Sequence, residues 1–155
     1  MVRRIASIFL LVALLCPAPL LAAVRGKEVM YVGGTIKSVP EATEGTLDTK
    51  DEKALVFTSP KGNFEIPYDR ITSLEYGQKA GRRLGVAVVI TVWALFSKKR
   101  GHFVTIGFTD EKNQPQGVVL EIPKGYTKTT LTILEVRSGR KVDYESEEAR
   151  KHVHG

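Results

Sequence analysis

Thirteen consecutive residues without a charge, Leu84 to Phe96, lie between Lys79, Arg82 and Arg83 on one side and Lys98, Lys99 and Arg100 on the other. As a helix this run is about 20 Å long at 1.5 Å per residue, short of the ~30 Å hydrocarbon core of a bilayer. As one strand it is about 43 Å long, far beyond ordinary strands. Spanning also sets a topological condition: it would place the β-prone runs that end at Tyr76 and start at His102 on opposite sides of a membrane. If both runs belong to one barrel, a span is excluded. Two further readings stay open. The segment is a buried helix, a pair of strands in the core or one side of a subunit contact, or it leaves the domain as an apolar loop or helix lying in the lipid interface. On the last reading Val89, Trp93 and Phe96 enter the apolar layer, and Arg82, Arg83, Lys98, Lys99 and Arg100 meet anionic head groups.

The chain around this run reads as β structure. A first strand is expected within Val24 to Gly34, with a bend at Gly33 and Gly34. Ser38 to Asp51, with Pro40 and Gly45, reads as a connection around a short strand at Thr46 to Asp48. Ala54 to Thr58 and Phe64 to Pro67 enclose five turn-forming residues, a hairpin pattern. Arg70 to Tyr76 alternates imperfectly and predicts a strand with a bulge. His102 to Thr109 and Gln116 to Ile122 flank Asp110 to Pro115 and predict a second hairpin. Tyr126 to Ser138 carries Leu131 and Leu134 at helical spacing, with Gly139 placed as the C-terminal cap. Thr127, Thr129, Thr130 and Thr132 lower helix propensity, so this helix depends on packing against a sheet. Asp143 to Gly155 is charged and poor in apolar residues, and reads as a flexible tail or an exposed helical turn.

At the N-terminus, Arg3 and Arg4 precede an apolar run from Ile5 to Leu15, then Pro17, Pro19 and the small pair Ala22 and Ala23. That is the order of a secretory signal peptide over residues 1–23, with cleavage expected after Ala22 or Ala23. The run is short for a membrane anchor, and the two prolines interrupt it. Cys16 is the only cysteine, and Leu15 before it does not suit lipid attachment. Processing would leave a chain without disulfide, cysteine metal site or thiol nucleophile. An exported protein of the periplasm or envelope is the expected setting, with release outside the cell as the alternative.

Removing Arg3 and Arg4 from 23 basic residues leaves 21 against 17 acidic, a net +4. Mild positive charge outside the cytoplasm suits anionic lipid or acidic polymers, and no nucleic-acid partner is expected. A second copy of the chain or another envelope protein is the other candidate partner. Of three histidines, His152 and His154 form a pair in the expected tail, too few for a metal site. No Gly-x-Ser-x-Gly, His-Glu-x-x-His or phosphate-loop pattern occurs, and Gly77 to Arg83 lacks the Gly-Lys-Ser/Thr ending of a phosphate cradle. The expectation is no catalytic residue, no metal and no cofactor. A cavity gathering Asp69, Glu75 and His102 would argue for an enzyme instead.

Ile66-Pro67-Tyr68-Asp69-Arg70-Ile71, the apolar insertion, Ser97 to Arg100 leading into His102 to Ile106, and the closing helix together resemble uncharacterised bacterial exported proteins with a pleckstrin-homology-like, or GRAM-like, barrel. The resemblance covers roughly residues 45–142. It implies a small, strongly bent antiparallel barrel capped by one C-terminal helix, a scaffold that binds lipid or protein and rarely does chemistry. The basic groups here flank a late insertion, whereas phosphoinositide-binding relatives carry them in an early hairpin, so no ligand residue transfers. The chain is therefore read as mainly β: a small antiparallel barrel or strongly bent sheet with one C-terminal α-helix and an apolar insertion between strands. Its expected parts are a β-rich domain at 24–142, the insertion at 84–96 and a charged tail at 143–155.

Overall fold

Alternation of apolar and polar residues produces most of the elements. A computed structural model describes residues 27–77 and 101–154; the expected signal segment 1–23 and the expected insertion 84–96 lie outside the described residues. The first four strands form a meander: β1 (Lys27–Gly34), β2 (Thr43–Asp48), β3 (Ala54–Ser59) and β4 (Gly62–Pro67). The expected first hairpin is β3–β4, with its turn tightened to Pro60 and Lys61. It pairs Leu55 with Ile66 and Phe57 with Phe64. Both aromatic rings point inward and stack with centroids 4.9 Å apart, and Tyr31 meets Phe64 edge-on at 5.4 Å. Direct cross-strand aromatic pairs of this kind stabilise register.

A single 3₁₀ turn, Tyr68–Arg70, leads into β5 (Ile71–Gly77), followed by β6 (Phe103–Thr109) and β7 (Pro115–Glu121). The bulge expected in β5 is present as a register shift between Ile71 and Ser73. β6 and β7 are the second hairpin, in register from Phe103↔Glu121 to Thr109↔Pro115. β1 joins the two meanders by pairing with both β2 and β7, so its bend at Val32 and Gly33 lies where the sheet turns from one to the other. Gly34 is needed there, because an added Cβ would lie 2.2 Å from the Gly117 carbonyl oxygen.

Helix α1 (Lys124–Ser138) starts two residues earlier than the spacing suggests and ends at Gly139, whose φ of 68° is left-handed. It buries Thr127, Thr130, Leu131 and Leu134, so the threonines that weaken it as an isolated helix are tolerated by packing. Leu131 and Leu134 join Tyr31, Leu55, Phe57, Ile66, Leu74, Val104, Ile106 and Leu120 in the core.

Three expectations are corrected. The sheet is not closed: its eight strands run in the order β4-β3-β2-β1-β7-β6-β5-β8, with β4 and β8 as edges. It is mixed rather than all antiparallel, because β8 (Val142–Tyr144) lies parallel to β5. Residues 143–154 are not a loose tail, since beyond β8 they form a second helix, α2 (Glu147–His154), that buries Ala149 and Val153. The cause is local. Glu135 Oε1 accepts the Val142 N–H at 2.8 Å and Arg140 Nε donates to the Ile71 carbonyl at 3.1 Å, which sets β8 on the β5 edge. Ser146 then caps α2 by accepting the Ala149 N–H at 3.1 Å.

Candidate functional site

All eight residues singled out for membrane contact, Arg82, Arg83, Val89, Trp93, Phe96, Lys98, Lys99 and Arg100, lie outside the described residues. The structure does define the base from which they leave. Gly77 pairs with Phe103, so the chain departs from β5 and returns to β6 at adjacent positions of one antiparallel pair. Phe103 also pairs with Glu121, and Glu121 with Met30, which brings β1 and β7 to the same level. β1 runs away from this end, so residues preceding Lys27 attach there too.

A cavity of about 290 Å³ opens beside this base, lined by Glu28, Met30, Glu44, Gly101, His102 and Glu121 among others. Its carboxylates come from three strands, and basic residues adjoin its lining in sequence at Lys27, Lys124 and Lys98 to Arg100. Among the described residues this end carries both signs, since Lys124 as well as Glu121 acts on His102.

On the core side of the same end, the three histidines and two tyrosines form a connected cluster. The Tyr76 hydroxyl and His102 Nδ1 are 2.5 Å apart, with the two rings nearly parallel. His102 meets His152 of α2 edge-on at 6.3 Å between centroids. Tyr76 packs against Tyr144, its register partner in β8, and the Tyr144 hydroxyl lies 2.9 Å from His154 Nε2. Burial, then the charge of His152, then Lys124, push the His102 pKa below its ordinary value, and Glu121 opposes them. Burial raises the pKa of Tyr76 and Tyr144, so both stay phenols that can donate to a neutral imidazole. Sequence reasoning missed this cluster because it placed His152 and His154 in a charged tail away from the domain. A signal was present: Ala149 and Val153 are four residues apart behind Ser146, the pattern of a capped helix with one apolar side.

The opposite face of the sheet is also apolar at its centre. Val119 is 0% exposed and Thr105 3%, and the two are register partners; Val32 and Phe103 are buried as well, yet none of the four belongs to the core beneath the helices. Both faces of β6 are therefore out of water, which explains its unbroken run of buried residues.

The residues that would have argued for an enzyme are dispersed. Asp69 is exposed on the 3₁₀ turn, Glu75 faces away from Tyr76 on β5, and neither lines the cavity that holds His102. Among the described residues no three His, Cys, Asp or Glu side chains are grouped to hold a metal ion, and no helix is long and apolar enough to cross a membrane. In sequence, the chain matches no protein-family model and no curated protein.

Proposed function

We propose that this chain is a non-catalytic exported binding module with a pleckstrin-homology-like architecture, which associates with an anionic membrane surface through residues 84–96 and their basic flanks. The architecture is supported by two antiparallel meanders, β1–β4 and β5–β7, joined through β1 and β7 and covered by a C-terminal helix. The observation that carries the membrane reading is the pairing of Gly77 with Phe103. A segment whose two ends are neighbours in one sheet has to return to the side it left, and thirteen apolar residues are too few to cross a ~30 Å core and come back. Dipping into the interface fits both this constraint and basic residues on both flanks.

The test is flotation of the processed protein, purified from the envelope of cells expressing the full chain, with vesicles of phosphatidylcholine alone or mixed with phosphatidylglycerol. Flotation that needs the anionic lipid, weakens at high salt and is lost in the Val89→Ser/Trp93→Ser double variant is the expected result. A folded protein that stays at the bottom of the gradient with both vesicle types overturns the reading.

Burial of Val32, Phe103, Thr105 and Val119 outside the main core favours a second reading, in which 84–96 is a structural or subunit-contact element. On that reading the same double variant lowers stability or changes the oligomeric state, high salt strengthens the contact, and neither vesicle type carries the protein.

A further inference from the structure

β8 and α2 are lightly anchored compared with the rest of the sheet. β8 adds three residues to the edge of β5, and α2 buries only Ala149 and Val153. Segments with so little buried surface open locally at lower free energy than the domain unfolds. Yet all three histidines of the chain are at this junction. His102 stands on the sheet side, joined to Tyr76; His152 and His154 stand on α2, the first against His102 and the second joined to Tyr144.

We infer that β8 and α2 form a latch over the β5 edge, held while His102 is neutral and released when the pH falls from neutral towards about 5. Among the described residues, the charges acting on His102 are those of Glu121 of β7, Lys124 of α1 and His152 of α2. Glu28 of β1 and Glu44 of β2 lie across the cavity beyond it. His154 and Tyr144 line a second cavity, about 570 Å³, where Glu135, Asp143 and Glu147 face Lys141 and Arg150. The signs around His154 are thus mixed. Around His102 the balance is against protonation, since burial, His152 and Lys124 outweigh Glu121.

A base whose pKa is lowered in the docked state binds fewer protons there than when released. Docking is therefore fully supported above the ordinary histidine pKa of about 6.5, and that support is lost as the pH falls below it. A proton on His102 places positive charge on a ring 6.3 Å from that of His152 and beside Lys124. His102, on the sheet, distinguishes docked from released. Release bares the backbone of Leu74 to Tyr76, an unpaired edge able to take up another extended segment.

Hydrogen exchange of the processed protein between pH 8 and pH 5, corrected for the intrinsic pH dependence of exchange, tests this. Protection of amides in 142–154 is expected to fall about tenfold below pH 6.5, while β6 and β7 keep theirs. His102→Gln and His152→Gln should each flatten the dependence; His152 is exposed, so its variant keeps the fold if the His102 variant does not. Protection of 142–154 that is independent of pH, a loss shared equally by β6 and β7, or an unchanged dependence in the folded variants overturns the latch.

Discussion

Arg137 shows how much a single side chain joins in this domain. From the last turn of α1 it donates to the Thr49 carbonyl at 2.5 Å and the Asp51 carbonyl at 2.6 Å, reaches the Tyr68 hydroxyl at 3.2 Å and lies over the Tyr68 ring. Replacing it by Met keeps most of the stem and removes the donors. Arg137→Met should lower unfolding free energy by about 2 kcal/mol in urea titration, the cost of losing charged hydrogen bonds to two carbonyls. Arg137→Lys should recover only part, because an ammonium lacks the flat guanidinium that lies over the Tyr68 ring. Thr43 is the opposite case. Its hydroxyl is buried and, among the described residues, has no hydrogen-bond partner. Thr43→Val keeps the shape and removes that unmet group, so a gain of about 1 kcal/mol is expected in the same titration.

At the scale of elements, the turns and caps are set by backbone chemistry. Asp110 accepts the N–H groups of Lys112 at 2.9 Å and Gln114 at 2.8 Å, closing the β6–β7 turn. The bond from Gln114 most of all holds the carboxyl below its ordinary pKa. A carboxylate with a lowered folded pKa contributes its stability above the unfolded value near 4, and that contribution is lost as the pH falls through the folded value. Asp110→Asn should therefore reduce the acid sensitivity of unfolding below about pH 4, read from melting temperature against pH. At the other punctuation point, Gly139 has a φ of 68° and nothing near its missing Cβ. Gly139→Ala should cost about 1 kcal/mol, all of it from the backbone. The β8–α2 segment follows directly, and its placement starts from that left-handed residue.

Over the whole molecule, one end of the sheet concentrates what distinguishes this domain. The insertion leaves and returns there at Gly77 and Phe103, an acidic cavity opens there, and the histidine cluster lies on the core side of the same end. The apolar outer face adds a test of its own. Val119→Thr adds one hydroxyl at a position with no exposure. It should cost about 1–3 kcal/mol in urea titration, the penalty for burying an unpaired hydroxyl.

Both hairpins, the bulge in β5, and α1 with its glycine cap were legible in the chain because each depends on neighbours a few residues away: alternation, turn residues, a cap. The order of the strands was not. Pairing of β1 with β7 joins Tyr31 to Leu120, and pairing of β5 with β8 joins Leu74 to Val142, contacts that no local pattern encodes. The same distinction separates the candidate sites. Apolar content and flanking charge mark 84–96 in the sequence, whereas the histidine cluster exists only because β8 returns to the β5 edge and carries α2 across the end of the core. Residues 143–154 look polar when counted in order. Folding buries Ala149 and Val153 on one side of a short helix and turns that polar stretch into part of the domain, because burial is decided by which side meets the core and not by average composition.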